Sequence, residues 1–154
     1  MTTRIEKQII IDAPAQAAWD VLADFGNVYR WAPGVTHSFA TSPNNGGDGA
    51  SRHCDIKGFG SVEEEILQWK DGVSFTYDAT PLGPIGHSIS VWSVESLGPT
   101  RSRLNTSFEY PTRFGPLGAL MNRLFMRRKI EAAFDTTLPA FKAYVESGAA
   151  AAAA

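Results

Sequence analysis

Between Val35 and Tyr110 the chain offers six successive strand patterns and no helical one. Val35 to Thr41, Ala50 to Lys57, Ser61 to Trp69, Val73 to Thr80, His87 to Leu97 and Arg101 to Tyr110 are separated by turn signals such as Asn44-Asn45-Gly46-Gly47, Gly58-Phe59-Gly60 and Lys70-Asp71-Gly72. The alternation in Val73 to Thr80 is clean: Val73, Phe75, Tyr77 and Ala79 share one face, and Ser74, Thr76, Asp78 and Thr80 the other. Such a sheet has one face to pack and one to wet, so it needs a cover.

The cover has to come from Leu117 to about Val145, the longest helical periodicity in the chain. Leu117, Leu120, Met121, Leu124 and Phe125 read as one apolar stripe, and Ile130, Phe134, Leu138, Phe141 and Val145 as its continuation. Pro139 removes one backbone hydrogen bond there and predicts a kink. Ahead of the six strands, Arg4 to Asp12 reads as a further strand. Ala13-Pro14 opens a short helix that runs to Ala23, and Phe25 to Trp31 reads as a second short helix stopped by Pro33-Gly34. The expected fold is α+β: a curved seven-stranded antiparallel sheet wrapped around a long C-terminal helix, with two short helices after the first strand. A strongly curved sheet gripping one helix leaves room between them, and that room is the step from fold to function.

At 154 residues the chain is long enough for one core, and no internal repeat asks for a second. Residues 1–147 are expected to form the domain. Residues 148–154, a glycine followed by six alanines, are expected to carry no functional weight. A net charge of −2 removes the general basic balance that nucleic-acid binding needs. The single cysteine, Cys54, has neither a disulfide partner nor the companions of a zinc site, and the three histidines are scattered, so no metal and no cofactor are expected. The apolar run Ile9 to Ile11 is too short for a signal-peptide core, which makes a cytoplasmic location the expectation.

The string Ile-Ile-Ile-Asp-Ala-Pro, four residues, Trp-Asp-Val-Leu-Ala-Asp-Phe, five residues, Trp-Ala-Pro-Gly-Val covers Ile9 to Val35. It resembles the opening of the START-like superfamily, also called Bet v 1-like or SRPBCC proteins, and within it the polyketide cyclase/dehydrase-like branch. The order of strands and the closing helix extend the likeness from Thr3 to about Glu146. The resemblance implies a helix-grip fold with a deep apolar cavity, in proteins that carry lipids, bind hormones, or cyclise and dehydrate aromatic polyketides. It implies no shared catalytic motif. Arg52, in the third strand region, is similar to a pocket arginine of some aromatic cyclases.

Candidate site residues follow from parity and from the loops. Phe25, Phe75, Tyr77, Phe108 and Tyr110 stand either in the core or along a cavity wall, the tyrosines offering a flat surface and a polar tip. Trp92 joins them on one parity of its strand and faces outward on the other. Of the consecutive Glu63, Glu64 and Glu65, either Glu64 points inward with Val62 and Ile66, or Glu63 and Glu65 do with Leu67. An acid inside an apolar cavity would have a raised pKa and serve as a general acid or base. Arg52, Glu65, Tyr77 and His87 are the catalytic candidates, His87 because it begins a strand beside the loop Pro81 to Gly86. That loop and the loop Pro111 to Pro116 are the expected gates; with Trp31 they carry Leu82, Ile85 and Phe114 to a mouth, where they would equally suit a homodimer contact. Met121, Leu124 and Phe125 are expected to close the cavity from the helix. Arg123, Arg127, Arg128 and Lys129 suit either a solvated helix face or a contact with anionic lipid or a partner protein; membrane insertion is not expected while the stripe beside them is used by the sheet.

Three readings remain: a carrier of a lipid, isoprenoid or aromatic polyketide; a cofactor-independent cyclase/dehydratase acting in the same cavity; and an interaction module using the basic helix face. Arg52, Tyr77 and one of the Glu63 or Glu65 carboxylates converging inside the cavity would favour the enzyme, an apolar wall throughout the carrier, and a cavity filled by phenylalanine and tryptophan side chains the module.

Overall fold

The computed structural model describes residues 2–153. Seven strands form one sheet: β1 (Thr2–Ile11), β2 (Val35–Ala40), β3 (Ser51–Ile56), β4 (Gly60–Lys70), β5 (Ser74–Ala79), β6 (Ser88–Gly98) and β7 (Arg101–Pro111). Their order is β1-β7-β6-β5-β4-β3-β2, and every neighbouring pair is antiparallel. Helix α1 (Ala15–Ala23) follows β1 and leads through a 3-10 turn over Phe25–Arg30 into β2. After β7 come α2 (Gly115–Met121), a π-helical turn over Asn122–Met126, and α3 (Arg127–Ala153). The arrangement is the expected helix grip, and α3 continues through Pro139.

The first two elements are pinned to the sheet by apolar burial and a few directed hydrogen bonds. Ala18, Trp19 and Leu22 recur at helical spacing and are buried. Trp19 meets Trp69 edge to face at 5.1 Å, a contact worth about 1 kcal/mol beyond its buried area. The Ser38 hydroxyl, itself buried, donates to the Gly26 carbonyl at 2.9 Å and accepts the Tyr29 N–H at 3.1 Å, which locks the 3-10 turn onto β2. Gly26 sits so close to β2 that a Cβ there would lie 2.8 Å from the Ala40 nitrogen.

A β-bulge at Leu67 settles the parity of β4. Val62, Glu64 and Ile66 face inward; the register then shifts by one, so Trp69 rather than Gln68 returns to the core and Leu67 is exposed. The pair Leu67 and Trp69, which makes the odd parity look apolar in the sequence, straddles that irregularity.

The C-terminal segment departs from the expected stripe. Ile130, Leu138, Phe141 and Val145 are buried against the sheet and Phe134 is half-buried. Leu117, Leu120, Met121, Leu124 and Phe125 are exposed, and the face that α2 and the π turn present to the sheet carries Gly118 and Asn122 instead. The reason is geometric. Gly118, Asn122, Met126 and Ile130 form one row at a spacing of four, which runs straight into the packed face of α3. Phe125 and Ile130 are five apart and do not belong to one α-helical stripe. Buried Asn122 is satisfied: the Tyr110 hydroxyl donates to its Oδ1 at 2.5 Å, and its Nδ2 donates to the Thr3 hydroxyl at 3.0 Å. Gly118 is required by contact, because a Cβ would lie 1.6 Å from the Arg113 carbonyl oxygen.

Candidate functional site

Between the sheet and α3 lies a cavity with two lobes. The inner lobe, about 170 Å³, is walled by Val28, Trp31, Phe75, Tyr77, Trp92 and Phe134, with Arg52, Cys54 and Glu64 on the sheet side. The outer lobe, about 150 Å³, is walled by Phe59, Val62, Leu82, Ile85, Phe108 and Ile130. Ile56, Glu64, Ala133 and Phe134 line both lobes, so the two meet under α3. The wall is overwhelmingly apolar, and its polar groups are few and grouped.

Arg52 and Glu64 form the polar core of the site. They are directly opposed on β3 and β4, and both face inward at 6% and 7% exposure. Arg52 Nε donates to Glu64 Oε2 at 2.6 Å, and Nη1 donates to the Phe25 carbonyl at 2.8 Å. The guanidinium lies 3.7 Å above the Phe25 ring and 5.1 Å from that of Tyr77. Desolvation is the largest single influence and works against the Arg52 charge, but the attraction and hydrogen bond of Glu64, together with Cys54 and Tyr77, outweigh it and hold the guanidinium above its ordinary range. Burial, reinforced by the Glu64 charge, pushes the Tyr77 phenol up, so it stays a neutral donor. Burial also pushes the Cys54 thiol up to about 12 against the opposing pull of Arg52, which leaves it without thiolate near neutrality. The Trp92 indole N–H is buried without a hydrogen-bond partner beside the inner lobe. An orphaned donor in an apolar wall is costly unless a guest supplies an acceptor.

The loops Pro81 to Gly86 and Pro111 to Pro116 are tied to each other. Leu82 pairs with Ile85, Ile85 bridges to Thr112, Gly86 N–H donates to the Pro111 carbonyl at 2.9 Å, and Arg113 N–H donates to the Pro84 carbonyl at 2.7 Å. Across the outer lobe, the Lys129 ammonium donates to the Gly58 carbonyl and sits 4.3 Å from the Phe59 ring.

Of the residues expected from sequence, Trp31, Arg52, Phe75, Tyr77, Leu82, Ile85, Trp92 and Phe108 line the cavity, which settles the parity of Trp92 as inward. Phe25 is buried beneath Arg52, not on the wall. Tyr110 is fully buried in the smaller core cluster with Ile5, its hydroxyl spent on Asn122. Four expectations are overturned on the helix side: Phe114, Met121, Leu124 and Phe125 are exposed, the last three because α2 and the π turn present the row of Gly118 and Asn122 inward. Glu65 is exposed on the outer sheet face, and the inward carboxylate is Glu64. His87 is exposed in the bend just before β6. Val28, Ile56, Phe59, Val62, Ile130, Ala133 and Phe134 also line the cavity and were not named as site residues from sequence. Ile130 and Phe134 carried a signal in their helical spacing, whereas Ala133 carried none.

Comparison with known proteins now bears on this geometry. The model of a family described as polyketide cyclase / dehydrase and lipid transport matches residues 2–146. Comparison with curated proteins gives no match. Among solved structures, the Zhui aromatase/cyclase from Streptomyces sp. R1128 superposes with a TM-score of 0.82 at 18% identity, over 95% of this chain and 94% of that one. A START superfamily protein from Mycobacterium smegmatis gives 0.74 at 15% identity, over 94% and 97%. Norcoclaurine synthase from Thalictrum flavum, solved with dopamine and hydroxybenzaldehyde, gives 0.71 at 15% identity, over 94% and 87%. At such identities the structures speak to the fold, and the family match, which takes in nearly the whole chain, speaks to descent: this chain belongs to the polyketide cyclase / dehydrase and lipid transport family.

Proposed function

We propose that the protein binds a small, mainly apolar molecule carrying one oxygen acceptor, in the two-lobed cavity under α3, as a carrier or binding protein. The observation that carries this reading is the orphaned Trp92 N–H beside the Arg52–Glu64 pair, inside a wall that is mainly aromatic and aliphatic. An apolar guest gains from desolvation along the wall, and a carbonyl or phenolic oxygen gives the indole N–H its missing partner. Lobes of about 170 and 150 Å³ suit a guest of a few fused rings or a short isoprenoid better than a long-chain diacyl lipid.

A second reading is favoured by the convergence of Arg52, Glu64 and Tyr77 on one lobe. In a cyclase/dehydratase, the wall would hold a flexible poly-carbonyl chain folded in a reactive shape. The Arg52 charge would stabilise an enolate oxygen, the Tyr77 phenol would donate a proton, and Glu64 would accept one. Native mass spectrometry of the purified protein, followed by extraction of what is bound, tests both. Recovery of a stoichiometric polycyclic or isoprenoid guest supports binding, and conversion of an added linear poly-carbonyl compound by the wild type but not by Glu64→Gln moves the reading to the enzyme. An empty protein that takes up none of a panel of apolar aromatic ketones refutes both.

A further inference from the structure

The stretch from Phe114 to Phe125 is an amphipathic surface with its apolar side outward. Phe114, Leu117 and Phe125 are 62%, 65% and 69% exposed, and Leu120, Met121 and Leu124 lie between them, also exposed. Leu117, Leu120, Met121, Leu124 and Phe125 fall at i, i+3, i+4, i+7 and i+8, the spacing of one helix face. A connecting segment does not need six large apolar side chains in water. Phe114 adds an independent sign. It is the one non-glycine residue with positive φ among the described residues, at 66°, a left-handed conformation that costs a bulky side chain stability, and it holds its ring outward.

The surrounding charge identifies the occupant. From Thr112 to Ile130 the chain has five cations, Arg113, Arg123, Arg127, Arg128 and Lys129, and no acid. The rest of the chain holds nine cations against sixteen acids. The molecule is therefore polarised, with one basic, apolar-tipped end on an otherwise acidic body. A second copy brought against this end would set arginines against arginines, whereas an anionic bilayer surface complements both the charge and the apolar tips. Among the described residues no helix is long and apolar enough to cross a membrane, so the contact is peripheral.

We infer that α2 and the π turn after it form a docking face for the surface of an anionic lipid bilayer, with the apolar side chains entering the interface and Arg113, Arg123 and Arg128 meeting the headgroups, while Arg127 is paired with Glu131 at 3.2 Å and Lys129 with the Gly58 carbonyl. The face adjoins the gates: Arg113 Nη1 donates to the Gly83 carbonyl at 3.4 Å, and Lys129 holds the Gly58 carbonyl. Docking therefore sets the outer lobe beside the bilayer. That consequence rests on the proposed function; the docking itself does not.

The test is co-sedimentation of the full chain with vesicles of phosphatidylcholine alone and of three parts phosphatidylcholine to one part phosphatidylglycerol. The expected result is binding to the mixed vesicles alone, weakened by salt and by about fivefold for each cation removed. Arg123→Glu with Arg128→Glu is expected to reduce it by more than about twenty-five-fold, and Leu120→Ser with Phe125→Ser by more than about tenfold. All four positions are exposed, so both variants should unfold at the wild-type temperature and keep the wild-type response to an apolar cavity probe. Absence of wild-type binding, equal binding to pure phosphatidylcholine, or a wild-type dimer that Leu120→Ser with Phe125→Ser turns into a monomer overturns the inference. Vesicle binding without probe uptake upholds docking and removes the cavity reading.

Discussion

Replacing Glu64 by Leu leaves a guanidinium in the protein interior with no counter-charge. Arg52 is 6% exposed, its Nε has Glu64 as its 2.6 Å partner, and its faces are covered by Phe25 and Tyr77. Removing one partner of such a buried pair costs about 3–5 kcal/mol, because the remaining ion keeps its desolvation penalty and loses its compensation. For a chain of this length 1 kcal/mol moves the midpoint by about 2–4 °C, so Glu64→Leu is expected to lower Tm by roughly 6–20 °C. Arg52→Met should cost a similar amount, since it strands the carboxylate. The double variant Arg52→Met with Glu64→Leu is expected to return to within about 1 kcal/mol of wild type, because a well-packed apolar pair replaces two ions that must both be desolvated. Urea unfolding followed by tryptophan fluorescence reads all four corners of the cycle, with a constant m-value certifying a comparable transition. Single variants that cost less than about 1 kcal/mol would mean that water reaches the pair. A double variant as unstable as the two singles added together would mean that each residue acts through its own contacts. Either result refutes the reasoning. The stable double variant also separates roles: if the pair serves the guest, it folds normally and loses binding.

Other consequences are equally direct. Cys54, with its thiol pushed up to about 12 by burial, should resist iodoacetamide in the native protein at pH 8 and react only at the rate of opening, which labelling against urea concentration will show. The His53 ring is held by Glu63 first and Asp55 second, so its pKa is raised; its contribution to stability is full below the ordinary histidine value and disappears as pH rises through the folded one. An NMR titration should find His53 above the usual histidine range in the wild type and closer to it in Glu63→Gln. Gly118→Ala drives a Cβ into the Arg113 carbonyl and should cost about 2–3 kcal/mol. Gly148→Ala meets nothing within 4 Å inside α3 and should be neutral or stabilising by up to about 1 kcal/mol, both measured by thermal unfolding.

Much of the fold was legible because its signals are local. The turns around Asn45-Gly46, Gly58 and Asp71-Gly72 bound the strands, and the alternation in β5 names its inward face outright. What misled was apolar content read without its row. Leu117 to Phe125 form a better stripe than Gly118, Asn122 and Met126, yet the latter continue into Ile130 at a spacing of four and therefore face the sheet. The cost of burying Asn122 is met by Tyr110 and Thr3, partners 12 and 119 residues away that no local pattern displays. Glu64 and Glu65 were indistinguishable for a related reason: the bulge at Leu67 gives both parities an apolar member, and only pairing with Arg52 across the ladder decides between them. Trp92 was ambiguous along its strand, and its inward position follows from its opposition to Phe75 on β5.

The central claim is a guest site between the sheet and α3, and a plugged variant tests it most directly. Ala133 lines both lobes, is solvent-accessible there and is not part of the packed core, so Ala133→Trp can fill the junction without disturbing the core. Trp31 and Trp92, 5.7 Å apart in the inner lobe, report occupancy by quenching or by energy transfer to an aromatic ketone. The expected result is saturable one-to-one binding to the wild type, lost in Ala133→Trp at an unchanged unfolding temperature. Wild-type protein that does not bind, or a plugged variant that binds equally well, would contradict the claim.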